Sequence, residues 1–194
     1  MANVARVNGF KAVKYVNGAV WNGQANTYFI PSSDSTAVAV GDVVKLTGAG
    51  DSQGVPAVAR IANGSTDVPV GVVVGLVIDP TNLNTPQYRV ASTNRYVLVA
   101  DDPNIVYEVN CSGTAAYATD PGLNTGVSLG AGVSTTTGNS SMQADLATKA
   151  TTSSLPFRII GFVQRPDMDY SDTSNAKVLV TFNTHSARAG VAGV

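Results

Sequence analysis

One histidine, His185, one cysteine, Cys111, and one glutamate, Glu108, make up most of the reactive vocabulary of this chain. Acid–base, nucleophilic and metal chemistry draw on these side-chain types, so the few present carry the question of catalysis. Cys111 and His185, with Asp101 or Asp102 as orienting acid, have the composition of a thiol-hydrolase triad. That chemistry needs a thiolate stabilised beside an imidazole, and nothing in the sequence brings these distant positions together. A small buried thiol after a strand and a histidine at a strand exit are the plainer expectations. No catalytic residue, metal ligand set or cofactor site is therefore expected.

The densest acidic run, Asp167-Met168-Asp169-Tyr170-Ser171-Asp172-Thr173-Ser174-Asn175, alternates oxygen ligands as the start of a calcium loop does. Its sixth position is Asp172, where such a loop needs Gly, and its twelfth is Val178, where it needs a bidentate Glu. A polar hairpin loop is the better reading. Gly48-Ala49-Gly50-Asp51 looks like a fragment of a dinucleotide fingerprint but opens no helix, which makes it a turn. No phosphate-binding glycine loop, HExxH or CxxC is present. The aromatic residues Phe10, Tyr15, Trp21, Tyr28 and Phe29 gather near the start, among turns. They suit either core packing or the anchoring of an interface, since aromatic rings bury much area for little rotamer entropy. Sugar binding is a third use, although the aromatic–acidic pairing of a lectin is not visible in the sequence.

The elements that must position these residues are strands. Val, Ile, Tyr and Phe recur in short runs at 10–16, 27–30, 43–47, 70–77, 95–100, 105–109, 157–165 and 177–183. Turn signals such as Asn17-Gly18, Asn22-Gly23, Asn63-Gly64 and Asp120-Pro121-Gly122 separate them. The fold class expected is all-β, a compact sandwich or small barrel with long loops and an extended N-terminal arm. The runs 95–100 and 105–109 read as a hairpin with a four-residue loop and one wet face. The runs 70–77 and 157–163 are apolar on both faces, which predicts central strands or strands covered by another subunit. Gly71, Gly75 and Gly161 inside them predict bends or bulges. The stretch 127–154 reads as a long surface excursion holding one short helix at 141–149, capped by Ser141. Three regions follow: an arm with the first strands at 1–30, a β domain at 31–185 and a flexible tail at 186–194, with 1–9 itself the polar arm.

Charged residues are 13% of the 194 residues, about half the usual share, and the formal net charge is −1. So weakly charged a surface points to subunit packing, or to solubility carried by Ser, Thr and Asn. The basic residues lie singly along the sequence and predict neither nucleic acid nor an anionic membrane as a partner. A lone cysteine gives no internal disulfide, the start has no signal-peptide core, and no apolar run spans a bilayer, so synthesis in a cytoplasm is expected.

Several strings carry a resemblance: 1–10 with Asn17-Gly18 and Asn22-Gly23-Gln24-Ala25-Asn26, then 40–46, 84–89, 96–103 and 161–167. They resemble a family of tailed-phage virion proteins encoded near the major capsid protein, and the likeness runs over nearly the whole chain. The resemblance implies a head decoration, or cement, protein that binds the outside of the assembled shell. It implies the major capsid protein and further copies of this chain as partners, in a homotrimer first and a dimer second. It implies no cofactor and a location on the outer capsid surface after synthesis in a bacterial cytoplasm. Val4, Arg6, Phe10, Trp21 and Tyr28 are the residues expected at capsid or subunit interfaces. The rival expectations are a receptor- or glycan-binding head fibre or tail component, and a Cys-His or Ser-His hydrolase.

Overall fold

The computed structural model describes residues 3–64, 66–166, 168–169, 175–188, 190–191 and 193–194. Its strands are β1 (Lys11–Tyr15), β2 (Asn26–Ile30), β3 (Val43–Gly50), β4 (Pro56–Arg60), β5 (Gly71–Leu76) and β6 (Arg95–Ala100), then β7 (Ile105–Ser112), β8 (Asn124–Ser128), β9 (Gln143–Ala150), β10 (Phe157–Phe162) and β11 (Lys177–Phe182). The described residues contain no helix, and the protein is all-β. Strands β2 to β6 close a barrel in the order β2-β4-β3-β5-β6. The remaining strands form a six-stranded sheet ordered β1-β7-β11-β10-β8-β9, and a parallel pairing of β9 with β7 turns that sheet back on itself.

The barrel is filled by Ile30, Val38, Val44, Val58, Val73, Val97 and Val99. Short β-branched side chains suit both the pleated strand and the narrow lumen of a five-stranded barrel. In β5, Val73 enters this interior while Val72 joins a second core with Phe10, Tyr107, Phe157 and Phe182; β3 divides Val44 and Val43 in the same way. The cover over the outer face of 70–77 is thus the chain's own second sheet. Strand β10 is also central, paired to β8 and β11, but Arg158 and Ile160 on its other face are exposed. Register shifts beside Gly75 and Gly161 are the bulges their positions suggested.

Three local expectations are corrected. Strands β6 and β7 do not form a hairpin: β6 pairs with β2 and β5, β7 pairs with β1 and β11, and Asp101–Asn104 crosses from barrel to sheet. Tyr107 fixes that corner by donating its hydroxyl to Ala100 O at 3.0 Å, and β7 has no wet face. The helix expected at 141–149 is β9, whose buried Ala144 and Leu146 alternate with half-buried Gln143 and Asp145. Period-two burial between β8 and β7 overrides the helix-forming composition. The expected cap, Ser141, instead donates to Gly132 O and Leu129 O.

The polar start is seated on the body at both ends. Asn3 is buried, donating from Nδ2 to Asp169 O at 3.0 Å and accepting from Asp169 N at 2.7 Å. At the other end Phe10 N donates to Gly41 O at 3.0 Å, and the Phe10 ring stacks on Phe157 with centroids 4.7 Å apart. Here three segments meet. Asp42 accepts from Ala39 N at 2.8 Å and from Ser140 Oγ at 2.6 Å, which ties the barrel to the 138–142 loop. Gly9 lies between them with φ +69°, where an added Cβ would fall 2.6 Å from Gly41 O and 2.7 Å from Ser140 Cβ.

The loops at one side of the barrel are held by Arg89, 1% exposed. Its guanidinium donates to the carbonyls of Thr93 at 2.9 Å, Pro31 and Asp34 at 2.7 Å each, and Thr36. A buried charge is tolerable only when its donors are satisfied, and four carbonyl oxygens do so here.

Candidate functional site

The strand register assembles a charged cleft that the linear sequence conceals. Lys11, at the start of β1, faces Glu108 on β7, and Lys177, at the start of β11, faces Asn110. Residues two apart on a strand share a face, so Glu108 and Asn110 lie together between the two lysines. Arg6, from the segment before β1, and Arg165-Pro166, following β10, complete the walls of a cleft of about 560 Å³.

Glu108 is 9% exposed, and burial of a carboxylate requires partners. Arg165 supplies an Nη2 contact to Glu108 Oε1 at 2.6 Å, and Lys177 Nζ lies 3.3 Å from the same oxygen. Arg6 and Lys11 are exposed and have no ion-pair partner among the described residues. Asn110 is 3% exposed; its Nδ2 donates to Cys111 O, while Oδ1, itself buried, has no donor among the described residues. Four of the twelve basic residues therefore line one cleft around the single glutamate, which corrects the expectation that they stand apart. Chemically, two exposed cations beside a neutralised carboxylate suit an anionic group. A lysine at the start of β1 facing Glu108, and one at the start of β11 facing Asn110, would have been the signal, but reading it requires the strand order and register.

The residues expected at interfaces do not converge. Val4 is 64% exposed and Arg6 enters the cleft. Phe10 is a core residue at 3% exposure, edge-on to Tyr107 and stacked on Phe157, so its ring is not a surface anchor. Tyr28 is buried as well, with its hydroxyl donating to Asp101 Oδ2 at 2.8 Å; burial foremost, then the carboxylate, raises its pKa. Trp21 is half-buried against the second core, and its Nε1 has no acceptor.

Cys111 and His185 are each engaged by other groups. Cys111 faces the core, where burial above all, and then Asp120, push its thiol up to about 12. His185 is 1% exposed, tilted against Phe182 at 4.9 Å. Its Nε2 lies 2.8 Å from Val70 O, and its Nδ1 accepts from Ala187 N at 3.0 Å, which fixes the neutral tautomer protonated at Nε2. Both ring nitrogens are engaged by backbone, and burial lowers the imidazole pKa. Of the calcium-like run, Asp167 and 170–174 lie outside the described residues. Among those described, no group of three His, Cys, Asp or Glu side chains is placed to hold a metal ion.

A second cleft runs along the β1–β2 connection. Tyr15, Gln24 and Asp102 line both of its lobes, with Asn22 and Asn104 in one and Asn26 and Asp101 in the other. Aromatic, amide and carboxylate groups thus meet here, a pairing the sequence did not reveal. No protein-family model matches the chain, and no curated protein or solved structure matches it significantly.

Proposed function

We propose that the chain is a decoration, or cement, protein of a tailed-phage head, which attaches to the outer shell as a homo-oligomer, a homotrimer first. In this reading it bridges neighbouring major capsid subunits and has no catalytic role. The observation that carries it is the surface: exposed large apolar side chains on a chain with 13% charged residues. Val16 and Val20, 58% and 78% exposed, stand on the β1–β2 connection. Ile78 and Leu83, 71% and 77% exposed, border a cleft with Leu76 and Pro86 on the β5–β6 connection. Apolar side chains grouped on loops, with little charge to keep copies apart, suit repeated contact with other subunits. The sequence resemblance points the same way. A protein that binds the closed shell better than its separated subunits stabilises the closed state by mass action, and many modest contacts sum over the particle.

The test is location and copy number in purified particles, together with DNA retention by heads heated with and without the protein. Hundreds of copies over the head and later DNA release support the reading. A few copies at one vertex, or unchanged release, overturn it.

The cleft of Tyr15, Gln24, Asn26, Asp101 and Asp102 favours glycan binding as a second reading. A ring beside side chains that both donate and accept matches the hydroxyls of a sugar. Isolated protein that binds host cells or arrayed glycans, and loses binding in Tyr15→Ala, would support it.

A further inference from the structure

We propose that the cleft of Arg6, Lys11, Arg165 and Lys177 receives an acidic peptide segment of a partner protein, whose carboxylates pair with Arg6 and Lys11. The identity of that partner as the capsid shell rests on the decoration reading; the chemistry of the cleft does not.

Gathering four cations in one cleft raises their mutual repulsion, and Glu108 is shared by only two of them, Arg165 and Lys177. Arg6 and Lys11 are the cations left to an incoming anion. Two features select a peptide carboxylate over a nucleic acid. Glu108 already occupies one wall, and a chain of phosphates would lie against it, whereas single carboxylates can be spaced away from it. The net charge of the chain is −1, so no long-range field draws in a polyanion. The attraction is local, and a volume of about 560 Å³ fits a few side chains.

The probe is a fluorescently labelled oligoglutamate peptide, titrated with the full chain and followed by anisotropy at low and at physiological salt. Wild type is expected to bind, and more weakly as salt rises. R6E/K11E should lose about tenfold or more in affinity, because two exposed attractive contacts become repulsive. Both side chains are exposed, but K11E puts a second carboxylate across from Glu108, so melting is measured alongside, and R6Q/K11Q, with a smaller loss in the same direction, is the variant that keeps the fold unstrained. Oligodeoxythymidylate and inorganic phosphate are run as competitors. No peptide binding, equal binding by the variant, or stronger binding of either competitor overturns the proposal. Uptake by undecorated heads separates the two readings. Heads that take up neither form overturn decoration and leave the peptide titration to decide the cleft. Heads that take up both forms equally overturn the cleft's role in attachment.

Discussion

Substituting Gly9 by Ala tests whether the N-terminal segment is a built part of the body. Two costs add at this position. An L-residue at φ +69° sits in the left-handed region at about 1–2 kcal/mol. The new Cβ also meets Gly41 O at 2.6 Å and Ser140 Cβ at 2.7 Å, and Gly41 O belongs to backbone already fixed by Phe10 N. Overpacking of that kind costs about 1–3 kcal/mol, for a total of about 2–5 kcal/mol. Gly18→Ala supplies the control, because Gly18 has φ +90° in an exposed turn with no atom within 4 Å of its missing Cβ. It should cost only the backbone part, about 1–2 kcal/mol. In urea denaturation, with a slope of about 1–3 kcal/mol per M, Gly9→Ala should move the midpoint down by about 1–2 M and by more than Gly18→Ala. A shift for Gly9→Ala no larger than that for Gly18→Ala would refute the reasoning, since it would mean that the contacts of Gly9 with Gly41 and Ser140 do not hold in solution, and no shift at all would mean that residues 3–9 behave as a free arm.

Further outcomes follow from buried groups. Arg89→Lys replaces a fork serving four carbonyls by a single ammonium, and should cost about 2–4 kcal/mol, read as a fall in melting temperature of roughly 5–15 °C. His185 has a folded pKa below its unfolded value of 6.5, so its stability contribution is present above 6.5 and is lost as pH falls through the folded value. Asp42, whose carboxyl is raised above 3.8 mainly by burial, has the opposite slope, favouring the folded state as pH falls. The difference in melting temperature between wild type and His185→Gln should therefore shrink from about pH 7 to about pH 5, and a constant difference would contradict a buried imidazole held neutral in the folded state. Cys111, with its thiol pushed up to about 12, should resist a thiol reagent in the native protein and react on unfolding. Rapid native labelling would place it at the surface.

Composition and local pattern were enough to determine that this chain is all-β, where many of its turns fall and where two of its bulges lie, while the register shifts in β1, β3 and β8 went unread. Those properties arise from each residue's own φ preferences and from period-two alternation over a few neighbours. Gly75 and Gly161 betrayed their bulges for that reason. Partner choice is different in kind. Nothing local tells Val99-Ala100 and Ile105-Val106 that they belong to different sheets, nor tells 143–150 that Cys111 and Val127 will flank it and make it a strand. Phe10 and Tyr28 looked like anchors because a ring suits an interface and a core equally well; only packing against Phe157 and the bond to Asp101 separated the two. The cleft is the clearest case. Arg6 and Lys11, Glu108, and Arg165 and Lys177 come from three distant parts of the chain, and the sequence alone left them scattered. Strand order places β1 and β11 on either side of β7, and register sets Lys11 and Lys177 against Glu108 and Asn110. Charge acts through space over a few ångströms, so only the tertiary structure, which converts sequence separation into distance, could decide that these side chains form a site.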